Sequence, residues 1–247
     1  MPRYFIEVFY KGTRYSGFQI QQNANSIQAE IETALNIFFK STLSLTCSSR
    51  TDAGVHALSN YFHFDYEELA SYSRERLERI IYNLNSILPV DIVVKRIYQV
   101  ADDAHCRFDA VAREYRYYIY QDKNPFQSDR AYYYPYNLDI EVLNKAATML
   151  LSYQDFTSFS KRNTQVKSFI CNIYKSEWIK EQNIFIYQVK ADRFLRGMVR
   201  GLVGTMLKAG TGKISIDEFC KIVESKDCTN ADFSVPPQGL FLINVQY

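Results

Sequence analysis

The 247-residue sequence is poor in several residue types that would announce a chemistry. It has three histidines and five cysteines (Cys47, Cys106, Cys171, Cys220, Cys228), with no Cys-x-x-Cys pair, so no zinc-ligand spacing can be read and no metal is expected. An odd set of scattered cysteines fits reduced thiols in a cytoplasmic protein better than a disulfide framework. No apolar run reaches the length of a membrane span, and Met1-Pro2-Arg3-Tyr4 enters a strand pattern at once, without the character of a signal peptide. There is no Walker A pattern and no Gly-x-Gly-x-x-Gly after a strand. Gly210-Thr211-Gly212-Lys213 resembles a phosphate loop only superficially and follows a helical pattern. Charge of one sign is missing too: 29 Lys and Arg oppose 27 Asp and Glu, a net of +2, so nucleic-acid binding must come from local clustering.

Aromatic side chains are abundant, with 20 Tyr and 17 Phe but one Trp, and the length suffices for one large domain or two smaller ones. Alternation predicts a strand over Tyr4–Tyr10. A helix is expected from about Ser26 to Lys40, with Asn25 and Gln28 spaced as a capping box and Ile27, Ile31, Leu35 and Phe38 on its apolar face. Strands are expected at Leu43–Cys47, Asn60–Asp65 and Ile92–Val100, and a second helix through Leu77, Ile80, Ile81, Leu84 and Leu88, ended by Pro89.

The second half repeats the order. It reads as a strand at Ala112–Gln121, a helix at Ile140–Ser152 behind Asp139, and a hairpin of Phe169–Lys180 with Ile184–Ala191. A helix from about Phe194 to Lys208, a short helix behind the capping box Ser215/Glu218, and a strand at Leu240–Gln246 complete it. Two split βαβ, ferredoxin-like halves imply an α+β protein with mostly antiparallel sheet and helices packed on one face. The halves are placed at residues 1–108 and 109–247.

Three segments could carry chemistry. Ser49-Arg50-Thr51-Asp52-Ala53-Gly54-Val55-His56-Ala57 puts a carboxylate two residues after an arginine and before two small residues. A carboxylate beside cations can serve as nucleophile or base, or Asp52 can simply bond backbone N–H groups in an Asx-turn. In Arg113-Glu114-Tyr115-Arg116-Tyr117-Tyr118-Ile119-Tyr120, Tyr115, Tyr117 and Ile119 share one face, which is either a recognition surface or an aromatic-rich sheet face. At about 100° per residue, Arg193, Arg196 and Arg200 fall on one stripe of the third segment, with Gly197 and Gly204 on it and Gly201 beside it. Such a stripe suits a phosphate backbone, or is a solvated face with helix-packing glycines. Lys161, Arg162 and Lys167 form a looser basic cluster. His56 and His63 read as structural, because neither has a second ligand at useful spacing.

The Asp52 segment resembles the G/S-R-T-D-x-G-V-H-A signature of the TruA family of tRNA pseudouridine synthases. Further elements are similar to that family along nearly the whole chain: Tyr15-Ser16-Gly17-Phe18-Gln19, Asn25-Ser26-Ile27-Gln28, Asn83-Leu84-Asn85 with Leu88-Pro89, Asp155-Phe156-Thr157-Ser158-Phe159, Met198 to Gly204, and Gly239-Leu240-Phe241-Leu242. The resemblance implies a cofactor-free isomerisation of uridine in the anticodon arm of tRNA, at positions 38 to 40, by a cytoplasmic homodimer. It implies Asp52 as the catalytic carboxylate, Tyr115 as the active-site tyrosine and Arg200 as the arginine paired with the carboxylate, gathered in a cleft between the halves. Arg50 would fill the vacancy left by the flipped base, with Arg107, Arg193 and Arg196 as further substrate contacts. One departure stands out: Cys171 falls where the family often has an arginine. The alternative is a protein that binds structured RNA without catalysis, with Asp52 as a turn residue.

Overall fold

The structure is a computed structural model that describes residues 1–162, 164 and 166–247, with the side chains of Ala70 and Ser71 excepted. Residues group into two compact units, 1–111 with 242–247, and 112–241. The fold is α+β, with five α-helices and mostly antiparallel strands among the described residues.

In the first unit, β1 (Arg3–Tyr10) lies between β3 (His56–Asp65) and β4 (Ile92–Val100), antiparallel to both. Phe5 faces His63 and Glu7 faces Tyr61 across the β1–β3 register. The last strand, β9 (Leu240–Gln246), flanks β3 on its other side. Helix α1 (Ile27–Phe39) begins one residue later than its periodicity suggested, and its cap differs. Ser26, not Asn25, is the N-cap, its hydroxyl accepting the Ala29 amide at 3.3 Å. The Gln28 carboxamide instead donates to Glu32 and to the Leu45 carbonyl. The strand expected at Leu43–Cys47 shrinks to β2 (Thr46–Cys47). The reason is a competing partner: the Leu43 amide goes to the Asn36 side chain and the Leu45 amide to Glu32, both on α1. Helix α2 (Arg74–Ile87) is capped by Ser73 and packs on β4.

In the second unit, β8 (Ile184–Ala191) lies between β5 (Ala112–Tyr120) and β7 (Ile173–Glu181), antiparallel to both, and the two-residue β6 (Tyr132–Tyr133) runs parallel to β5. Tyr117 and Tyr187 are fully buried, so the β5 face shared by Tyr115, Tyr117 and Ile119 is a core face. Helix α3 (Ile140–Met149), capped by Asp139, packs on β7 and on α4 (Met198–Gly210) and α5 (Ile216–Glu224). The Ser215/Glu218 capping box forms as expected.

Two expectations fail here. Strand β7 starts at Ile173 rather than Phe169, because residues 169–172 bond to other segments: the Phe169 carbonyl takes the Phe156 amide and the Cys171 amide goes to Gln154. Helix α4 starts at Met198, four residues later than its apolar periodicity implied. Gly197 holds a left-handed φ of 77°, which no continuing helix tolerates. Arg193 and Arg196 therefore precede the helix, and the three-arginine helical stripe does not exist.

Candidate active site

The Asp52 segment is a loop between β2 and β3 whose backbone is pinned from several directions. The Asp52 carbonyl accepts the Val55 amide at 3.2 Å, closing a tight turn whose third residue, Gly54, has φ 77°. The Thr51 carbonyl takes the Phe18 amide at 3.1 Å, and Ser48 donates to the Tyr61 carbonyl. Beneath the loop lies a buried polar network. Asn60, with no exposed surface, donates to the Ser49 carbonyl at 2.9 Å and to the Tyr10 hydroxyl at 3.2 Å, while its oxygen accepts the Tyr61 amide. The Tyr10 hydroxyl in turn meets the Thr51 hydroxyl at 2.8 Å. Both neighbours of Arg50 are thus held from below, and the exposed Arg50 and half-buried Asp52 are carried on a braced turn. His56 is buried and accepts the Gly12 amide on Nδ1, a structural role.

Arg50 and Arg107 meet in a cavity of about 200 Å³. Its walls include His105, Phe108, Cys47 and Gln19. Burial pushes the Cys47 thiol up, and the adjacent Arg50 and Arg107 guanidiniums pull it the other way. Gln19 closes the Tyr15–Gln19 element legible in the sequence, whereas sequence reasoning misses His105 and Phe108; the available signal is the aromatic pair flanking Arg107.

His63 has closer neighbours than its spacing suggested. His63, His105 and Cys106 place one donor atom each within 4.8 Å of one another. Their atoms already have partners: the Cys106 amide donates to His63 Nδ1, the Cys106 thiol donates to the Thr46 carbonyl, and His105 Nδ1 accepts the Arg107 and Phe108 amides. In a neutral ring this leaves the proton on Nε2, so both imidazoles present an N–H rather than a free lone pair. That chemistry fits a hydrogen-bonded cluster better than a cation site. Burial lowers His63 to about 4, helped by Arg3 and His105.

In the second unit, Tyr115 sits on β5 opposite Val189, its ring edge-on to Phe194 at 5.0 Å. It is 8% exposed, so only a small part of the ring reaches solvent. The neighbouring Tyr117 is fully buried and donates to the Pro236 carbonyl. Arg200 lies in the first turn of α4, and Nε donates to the Val235 carbonyl at 2.8 Å and a terminal nitrogen to the Phe233 carbonyl at 3.5 Å. These contacts to the 233–235 segment aim the guanidinium. The same segment explains two helix glycines: a Cβ on Gly201 would lie 2.7 Å from the Phe233 ring, and one on Gly204 2.2 Å from the Asp232 carbonyl oxygen. They serve chain packing, not phosphate approach. Arg193 is half-buried and Arg196 exposed, in the segment leading into α4. The Arg196 carbonyl takes the Lys161 amide, and the Lys161 stem lies against Gly197. Cys171 is buried, its thiol pushed up to about 12 by burial, so it makes no surface contact in place of an arginine.

Comparison with known proteins supplies first the class, an RNA-modifying isomerase, and then the family. A profile described as tRNA pseudouridine synthase matches residues 8–109 and 146–247. The chain is 44% identical over 247 residues to tRNA pseudouridine synthase A of Parabacteroides distasonis, covering 100% of this chain and 96% of that one. It is 45% identical over 248 residues to the protein of the same name from Bacteroides fragilis, covering 100% and 97%, and 39% identical over 242 residues to that of Staphylococcus aureus, covering 97% and 89%. The chain belongs to the tRNA pseudouridine synthase family. Among the described residues, no helix is long and apolar enough to cross a membrane.

Proposed function

We propose that Asp52 is the reacting carboxylate of a tRNA uridine isomerase, with Tyr115 and Arg200 as its partners in catalysis. As a family member the chain is an isomerase that converts uridine to pseudouridine in tRNA. The reaction breaks the N1–C1′ bond, turns the base and joins C5 to C1′, with the C5 proton lost and N1 protonated. Atoms are conserved, so no redox or group-transfer step arises. The target must leave the stack to expose these atoms, at a cost of a few kcal/mol.

The observation that carries the assignment is the braced turn. A nucleophile must be held in near-attack geometry, and Asn60, Tyr10 and Thr51 fix the backbone on which Asp52 stands. In this reading Asp52 reacts with the flipped nucleotide and Tyr115 stacks on the base and assists the late proton loss from C5. Arg200 is assigned to catalysis with Asp52 by the family resemblance. Arg50 supports the flipped state, and Arg107, Arg193 and Arg196 contact the RNA backbone. The substrate region is the anticodon arm, the working form a homodimer and the location the cytoplasm. Family membership supports catalysis over passive RNA binding.

Asp52→Asn tests the assignment. The variant keeps the side-chain shape and loses the charge. It is expected to bind tRNA and to release no tritium from tRNA carrying C5-labelled uridine. Turnover within about tenfold of the parent would remove Asp52 from the catalytic role. Mapping pseudouridine at positions 38 to 40 in cells lacking the protein tests the substrate region.

A further inference from the structure

We infer that the cavity between Arg50, Arg107 and His105 is a subsite for a single phosphate group. The proposal rests on the reading of the chain as a tRNA-modifying enzyme and gives the contacts of Arg50 and Arg107 a specific ligand.

The cavity's chemistry selects an anion. Two guanidiniums line a space of about 200 Å³, and no carboxylate stands among its lining residues. Guanidinium N–H groups in a planar fork match phosphate oxygens two at a time. His105 adds a donor without needing a charge. Its Nδ1 accepts the Arg107 amide at 3.1 Å and the Phe108 amide at 3.4 Å, which leaves Nε2 carrying the proton of the neutral ring.

The wall beside these donors is aromatic. Phe108 is 74% exposed, its ring centroid is 4.2 Å from that of His105, and the Arg107 guanidinium lies 5.7 Å from it. An exposed ring next to a basic pocket is the pairing a nucleotide presents, a base beside its phosphate. The ligand chemistry is therefore a phosphate, supplied either by the tRNA backbone or by a free anion.

Cys47 is a built-in reporter, because it lines the same cavity and is partly exposed. Alkylation by iodoacetamide at mildly alkaline pH, read peptide by peptide by mass spectrometry, measures access to the pocket. Unmodified tRNA is expected to slow Cys47 labelling about tenfold while leaving Cys220 and Cys228 unchanged. Protection by inorganic phosphate without protection by tRNA would keep the phosphate subsite and assign it to a free anion. In parallel, Arg107→Ala should raise the tRNA dissociation constant and lower the slope of log affinity against log salt by about one, the loss of one phosphate contact, whereas Arg107→Lys should keep the slope.

Unprotected Cys47 under both ligands, together with an unchanged salt slope in Arg107→Ala, would overturn the proposal. The measurement is independent of catalysis. If Asp52→Asn stayed active while Cys47 protection persisted, the catalytic assignment would fail and the phosphate subsite would stand.

Discussion

Asn60→Ala is the sharpest test of the link between fold and chemistry. The parent side chain makes three buried hydrogen bonds, to the Ser49 carbonyl, the Tyr10 hydroxyl and the Tyr61 amide, at 2.9, 3.2 and 2.9 Å. Alanine removes all three and opens a small void. The Tyr10 hydroxyl keeps Thr51, so two desolvated groups, the Ser49 carbonyl and the Tyr61 amide, lose this partner at about 1–3 kcal/mol each, and the void adds to that, so a loss of at least about 3 kcal/mol is expected. That is a large part of a typical 5–15 kcal/mol stability, yet compatible with a folded protein at 25 °C. The same bonds hold the residues on either side of Arg50, so the loop carrying Asp52 should loosen. A displacement of about 1 Å at a reacting group costs up to about 100-fold, and the turnover number at saturating tRNA should fall by 10- to 100-fold. Urea unfolding and tritium release, both below the melting transition, give the two numbers. Tyr10→Phe should cost about 1 kcal/mol, and the double variant should show a coupling above about 0.5 kcal/mol, since both residues share one network. A stability loss below about 1 kcal/mol in Asn60→Ala would refute the network, and unchanged turnover would refute its role in positioning Asp52.

Gly204→Ala should destabilise by at least about 3 kcal/mol in urea unfolding, because its Cβ would sit 2.2 Å from the Asp232 carbonyl oxygen, which outweighs the roughly 1 kcal/mol alanine gains in helix propensity. His63 titrates at about 4 in the native protein, against 6.5 for the free side chain. The unfolded chain therefore takes up a proton first, and stability present above pH 6.5 is lost as pH falls towards 4. Linkage sets a ceiling of about 3 kcal/mol, discounted to about 2 for solvent reached beside the half-exposed His105. His63→Phe should flatten that slope, and a parent protein equally stable at pH 4 and pH 7 would contradict it. Arg200→Ala should lower the turnover number at saturating tRNA, with partial recovery in Arg200→Lys, because an ammonium cannot reproduce two parallel guanidinium bonds. A change in tRNA affinity alone would remove Arg200 from catalysis.

Periodicity and capping residues alone determined β4, β8 and β9 to the residue, and Asp139 and Ser215 marked the starts of α3 and α5. These elements were legible because their own side chains supply the alternation and the caps. The Ser49–Ala57 segment was legible as a candidate site through its resemblance to a family signature, while its residue types alone left a nucleophile and an Asx-turn both open. Tertiary structure decided what depends on distant partners. Leu43 and Leu45 gave up strand pairing because Asn36 and Glu32 on α1 capture their amides. Phe194 and Leu195 fit the apolar periodicity of α4, but Gly197 at positive φ stops the helix short of them, so two of three arginines leave the helix. His63 met His105 and Cys106, and Arg50 met Arg107, only because β3 and the β2–β3 loop fold against the segment after β4. Short-range patterns encode elements, because hydrogen bonds within three or four residues and side-chain alternation are local. Clusters and pockets join residues more than 40 positions apart, and only packing brings those together.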